Sequence, residues 1–192
     1  MREGQLLKLD DRFKEVREKL KDDKFLNGRG TGNDLSFYVF DYNPKDEIKV
    51  RYYKDLIIKD FNRADDNYIK EYDLYKMFIQ FLNEQDIFEQ IMDMEKTDDK
   101  DYIFRAITSF ISQEMYVNKI KEDFDSYKVI FITGVGKIYP FMRSHNILNR
   151  LHSVLGKKPL VMFYPGEYTG QDLTLFNKFM DDNYYRAFPI TD

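Results

Sequence analysis

Two short apolar runs, of four and five residues, constrain this chain more than any other feature. They are Val129-Ile130-Phe131-Ile132 entered from Lys128, and Leu160-Val161-Met162-Phe163-Tyr164. A strand with one wet face alternates apolar and polar residues, whereas a strand covered on both faces reads as a near-continuous apolar run. Each run therefore belongs to the middle of a sheet with helices on both sides. Between them, Pro140 to Leu155 carries Phe141, Ile147, Leu148, Leu151 and Leu155 at helical spacing, and Gly156 then stops the pattern. Strand, helix, strand in that order predicts a parallel pair.

The rest of the chain extends the pattern. Leu6, Leu9, Phe13, Val16 and Leu20 step by three and four, an amphipathic N-terminal helix. Gly28-Arg29-Gly30-Thr31-Gly32 precedes a strand rather than opening a helix, so it reads as a loop and not as a phosphate cradle. The aromatic stretch from Ser36 to Tyr42 predicts a strand. Asn43, Pro44 and the acids Asp46 and Glu47 then supply a cap, a first-turn proline and dipole-matched charge for a helix over about 44–62, in which Asp55 and Lys59 are spaced to pair. Tyr68–Tyr72 predicts a short strand, and helices are expected over Leu74–Leu82 and Tyr102–Tyr116. A further helix is expected over Asp172–Met180 and a last strand over Tyr184–Phe188. The expected fold is α/β. It has three layers around a mostly parallel Rossmann-like sheet, with an N-terminal helix and a mostly helical insertion at about 74–126, as a single domain over 1–192.

Composition narrows the chemistry. The chain has no cysteine and two histidines among 192 residues, which excludes disulfides, thiolate metal sites and cysteine nucleophiles. His145 and His152 lie seven apart, about 10.5 Å along a helix and too far to share a metal ion. No catalytic residue, metal ligand or cofactor is assigned. The opening MREGQLLKLDDRFKEV lacks the apolar segment of a secretory leader, so a cytoplasmic protein that does not enter a membrane is expected. Charge is uneven: residues 1–127 carry 22 basic and 29 acidic side chains, residues 128–192 carry 8 and 5. Between Asp125 and Glu167 no acid occurs, while Lys128, Lys137, Arg143, Arg150, Lys157 and Lys158 do. Such a stretch suits either an anion-facing surface or a buried unit with few acids.

Two loops follow the apolar strands and are expected at the carboxyl edge of the sheet, where parallel sheets bind ligands. One holds Gly134, Gly136, Lys137 and Tyr139, continuing to Arg143, Ser144, His145 and Asn146. The other holds Tyr164, Gly166, Glu167 and Tyr168 and is expected to enter a helix. Gly136-Lys137 is no Walker motif: Phe131 stands where its first glycine belongs and Ile138 where its hydroxyl belongs. Tyr139 likewise breaks a dinucleotide fingerprint. Cations at the start of a helix oppose its dipole, so an anion is expected nearby, with Glu167 pairing with Arg143 or Lys137 as the favoured arrangement. A degenerate phosphate- or nucleotide-binding loop and a weak DNA contact through Lys137, Arg143, Arg150, Lys157 and Lys158 stay open as alternatives.

The string from Ile132 to Asn149, with Gly134, Gly136, Pro140, Arg143, Ser144, His145 and Asn146, resembles a hallmark of the BrxB family of bacteriophage-exclusion (BREX) systems. Pro159–Tyr168 with Leu173–Phe176, then Asp182–Phe188 with Tyr185 and Arg186, resemble two more. Tyr42, Asn43, Pro44 and Arg51 also fit the pattern. The resemblance covers nearly the whole chain and implies a phage-defence protein without an assigned activity. It would act beside the phosphatase-superfamily protein PglZ, the methyltransferase PglX and the ATPase BrxC. The function it implies is a non-catalytic assembly or adaptor subunit that binds PglZ. The docking face would be either the acidic segment 84–126 or the cationic one, 137–158.

Overall fold

The computed structural model describes residues 8–28, 36–97, 99–181 and 187–191. Its centre is a parallel sheet of β1 (Phe37–Tyr42), β2 (Ile69–Asp73), β3 (Val129–Thr133), β4 (Leu160–Tyr168) and β7 (Phe188–Pro189), in the order β2-β3-β4-β1-β7. Register pairs Ile69 with Val129, Ile130 with Leu160, Phe37 with Leu160 and Tyr38 with Phe188. The two apolar runs are thus β3 and β4, adjacent and fully covered. This is the α/β, mostly parallel architecture expected.

Successive strand residues point to opposite faces, and the two faces collect different helices. Phe40, Ile69, Phe131, Val161 and Phe163 face α1 (Leu9–Lys21) and α3 (Glu47–Ala64), burying Phe13, Val16, Leu20, Val50 and Ile57. Val39, Tyr72, Ile130, Ile132 and Met162 face a larger set. It comprises α4 (Leu74–Glu84), α5 (Phe88–Thr97), α6 (Lys100–Phe110), α7 (Gln113–Lys121), α8 (Val135–Ile138) and α9 (Ser144–Leu155). The helices α4–α7 fill the segment between β2 and β3, where the insertion is expected. No helix among the described residues is long and apolar enough to cross a membrane.

Several boundaries differ from the sequence reading, each for a local reason. Asn43 caps a 3-10 turn, Pro44–Asp46, by accepting from the Lys45 amide (3.0 Å), and α3 follows as expected. Asp55 pairs with neighbouring Lys54 rather than with Lys59. The expected helix 102–116 is broken at Ile111, because Ser112 caps a new helix by accepting from Met115 N–H (3.4 Å). The expected helix 140–155 begins at 144. A single turn, α8, comes first, starting at Gly134 in the left-handed region (φ 74°), and Pro140, with no N–H to give, separates the two. The helix expected over 172–180 is a hairpin of β5 (Leu173–Leu175) and β6 (Phe179–Asp181). Three residues, 176–178, connect the two strands: Phe176 and Asn177 both take positive φ (54° and 56°), and Lys178 N–H donates to the Leu175 carbonyl (3.0 Å), closing the turn. This hairpin pairs antiparallel with the end of β4, so Tyr164–Tyr168 is strand and enters no helix. The strand expected over Tyr184–Phe188 pairs from Phe188 onward, and 184–186 lie outside the described residues. So do Arg29 to Gly32 of the glycine-rich loop.

Arg12 ties the two ends of the chain to the sheet. Its guanidinium donates to the Asp41 carboxylate (2.8 Å), the Asp41 carbonyl (2.7 Å) and Thr191 Oγ1 (2.8 Å), and lies 4.5 Å from the Phe40 ring centroid. Asp41 also accepts from Tyr168 N–H (3.1 Å), so one carboxylate holds α1, β1 and β4 together. Arg12→Ala leaves that carboxylate partly buried without its cation and should cost about 2–3 kcal/mol of unfolding free energy. Urea unfolding checks this, and a loss below about 0.5 kcal/mol, the range of an ordinary surface substitution, would rule the knot out as a structural tie.

Candidate functional site

The chain leaving β1 crosses through α3 on one face to reach β2, whereas β2 and β3 hand on to helices of the other face. Where crossovers part in this way, the carboxyl edge of a parallel sheet opens into a crevice. A cleft of about 200 Å³ lies there, between α3 and the ends of β1, β2, β3 and β4. Its floor is Thr133 and Phe163, and its walls carry four acids (Glu47, Asp55, Glu71, Asp73) and four bases (Arg51, Lys54, Lys76, Lys137).

Strand alternation builds the inner part. Ile69, Glu71 and Asp73 point to the α3 side of β2, and Thr133 does so from β3. Glu71 Oε1 accepts from Thr133 Oγ1 (2.6 Å) and from the Lys54 ammonium (2.7 Å), which also pairs with Asp55. Lys54 is only 7% exposed. Burial pulls its ammonium down, but hydrogen bonds to Asp55 and Glu71 outweigh that and hold it above the ordinary lysine value. Nearer the rim, Glu47 accepts from the Tyr42 hydroxyl and from Arg51 (2.6 Å). Burial and that carboxylate push the Tyr42 phenol well above its ordinary value.

Asp73 is the hub. One carboxylate oxygen accepts from the Tyr75 and Lys76 amides (3.0 and 3.2 Å), capping α4, and the other pairs with Lys137 of α8. Burial pushes its acid up, yet the Lys137 hydrogen bond and the α4 amides outweigh burial and hold it below the usual carboxylate value. A Cβ at Gly134 would lie 2.2 Å from that same carboxylate, so the glycine leaves the space the carboxylate fills. Lys137 therefore pairs with Asp73, correcting the expected Glu167 partner; Glu167 sits on the exposed side of β4.

The residues singled out in the sequence do not form one site. Gly134 and Lys137 belong to this cleft. Tyr139, Arg143 and Tyr164 line a second cleft of about 260 Å³ on the opposite face, with Lys178 and Phe179. Gly136 and Gly166 admit the protein's own atoms: a Cβ at Gly136 would meet the Phe176 ring at 2.8 Å, and one at Gly166 the Thr174 carbonyl at 2.1 Å. Tyr168 donates its hydroxyl to the Ala187 carbonyl (2.7 Å). Ser144, His145 and Asn146 form the first turn of α9, their side chains outside the description, and Tyr185 and Arg186 lie outside the described residues. The cations considered for DNA are largely engaged within the chain. Lys158 donates to three carbonyls, of Phe124, Asp125 and Tyr127 (2.9, 2.9 and 2.6 Å), Arg150 donates to Gln113 (3.1 Å), and Lys137 meets Asp73. Among the described residues no three histidines or carboxylates converge to hold a metal ion.

Sequence reasoning missed Lys54, Glu71 and Asp73. The one available signal was Asp73 directly before the apolar helix at Leu74, a cap position. Nothing local marks Glu71 or Lys54, whose partnership needs the crossover from α3 to β2.

In the folded protein Asp73 holds its proton less tightly than a free carboxylate. Its folded value is depressed, so its stabilisation is full above the unfolded value near pH ~3.9 and is lost as pH falls through the folded value. Asp73→Asn should be markedly less stable than the parent at pH 7, with the gap closing as pH is lowered below about 4. Urea midpoints measured across that range check it, and a gap that stays constant with pH would show that the carboxylate charge contributes nothing.

The BREX protein BrxB family model matches residues 70–190, from β2 through β7 and including Asp73 and Lys137. A BREX protein BrxB of Bacillus cereus (strain H3081.97) is 36% identical over 189 residues, 96% of this chain and 98% of that protein. A BREX protein BrxB of Escherichia coli O9:H4 (strain HS) is 29% identical over 184 residues, 95% and 91% of the two chains. No solved structure gives a significant match.

Proposed function

The chain belongs to the BrxB family of BREX proteins, and from that premise we propose that it is an assembly subunit of a phage-exclusion complex, binding the PglZ protein and contributing no chemistry of its own. The observation that supports this reading is the apolar surface that its helices leave in water. Ile48 is 81% exposed and Tyr52, one turn on, 61%, on a helix whose other side is core. Tyr102 and Phe110 of α6 and Phe179 and Met180 of β6 are also large, apolar and exposed. Exposed apolar groups gathered on ordered elements are what a subunit presents to its neighbours. The polar cleft points the same way. Lys54 with Glu71, Lys137 with Asp73 and Arg51 with Glu47 are mutually neutralised, so a charged ligand would have to displace a partner the protein already supplies. The cleft then locks α3, α4 and α8 onto the sheet edge.

Co-expression with full-length PglZ, followed by size-exclusion chromatography with light scattering, tests the reading. A stoichiometric complex stable through the column is expected. If the chain elutes alone while PglZ is folded and present in excess, binding of PglZ is ruled out. If no other BREX protein retains it either, the assembly role is ruled out as well.

A further inference from the structure

The insertion carries an unpartnered face of a particular kind. In α6, Ile103 and Ile107 turn inward and Phe104 stacks on Phe141 (ring centroids 5.5 Å apart). Tyr102, Ala106 and Phe110 are spaced i, i+4, i+8 and so share another face, where Tyr102 is 54% and Phe110 48% exposed. The neighbouring helix α5 also carries an exposed Met92. The helix packed beside α6 and the turn leading into α6 are acidic: the segment 84–101 holds eight acidic and two basic residues, Glu89, Asp93, Glu95, Asp99 and Asp101 are all exposed, and Arg105 is an exposed base on α6 itself. Within that segment, Lys96 pairs with Asp93 in full solvent, a contact of little strength.

We propose that the Tyr102–Ala106–Phe110 face of α6, with its acidic border from α5, docks a basic amphipathic helix of a partner protein. The inference rests on the assembly reading above and chooses between its two candidate faces. An apolar stripe a little over two turns long matches the i, i+4 anchors of a helix laid against it. The acidic border selects a helix flanked by Lys and Arg and repels nucleic acid. A second copy of this chain is a poor occupant, because its most cationic stretch holds Lys128 on Asp65, Lys137 on Asp73 and Lys158 on three carbonyls.

The test measures fluorescence anisotropy of two labelled synthetic helices against the full chain. One is an amphipathic Leu/Lys helix and the other is its Leu/Glu twin. The Leu/Lys helix should bind, and more weakly as salt is raised. Tyr102→Ser with Phe110→Ser should weaken it by at least about 10-fold, the scale of losing interface aromatics. Asp93→Lys with Glu95→Lys should weaken it comparably while leaving every apolar residue in place. Both pairs lie at exposed positions, and unchanged circular dichroism and melting temperature confirm the fold. Binding that neither variant alters, equal binding of the Leu/Glu twin, or absence of binding would overturn the proposal. The two readings fail separately. A PglZ complex that survives both variants sinks this docking face and leaves the assembly role standing, whereas a chain that no BREX protein retains sinks the assembly role.

Discussion

The Asp73 carboxylate is the interaction on which the sheet edge depends. A carboxylate this deep costs several kcal/mol to remove from water unless cations and amides replace the lost hydration. Its replacements come from two places at once, the first amides of α4 and the Lys137 ammonium of α8, and Gly134 at the start of α8 leaves the space that lets the group approach. The two are placed by different stretches of chain. The carboxylate therefore sets where α4 begins, how α8 turns away from β3, and how closely β2 and β3 stand at their ends. The Glu71–Lys54–Thr133 cluster beside it extends the same arrangement to α3, so that helices of both faces are anchored on one polar seam.

That seam explains what could and could not be read from the residues. β3 and β4 were legible because burial on both faces leaves its mark in the strand itself, and the parallel pairing follows from a helix between them. The alternation of helices and strands was legible for the same reason, as was the insertion. Gly134 and Gly136 were the part that the residues alone left open. Glycines that let a phosphate approach and glycines that let Asp73 or the Phe176 ring approach have the same local sequence, and only the partner, brought from elsewhere in the chain, distinguishes them. The helix expected over Asp172–Met180 failed differently. Its apolar positions fit a helix and a hairpin about equally, and Phe176 and Asn177 at positive φ decide it, with Asn177 the one residue that hinted at the turn.

The charge pattern acquires a physical meaning once the partners are known. The acid-free stretch from 126 to 166 suited either an anion-facing surface or a buried unit with few acids, and Lys128, Lys137 and Lys158 in it reach back to Asp65, to Asp73 and to the carbonyls after α7. They are the cationic half of contacts whose anionic half lies earlier in the chain. Much of the positive charge of the later segment is therefore spent holding the sheet together. The acids of α5 and the start of α6 have no such use: they stand exposed beside apolar side chains that the core leaves uncovered. Folding alone gains nothing from an exposed Tyr102 or Phe110 on an acidic helix pair, since burying either would be worth roughly 2 kcal/mol. A surface that forgoes that stabilisation is accounted for by a neighbour that recovers it, and the charge around it dictates that the neighbour be basic.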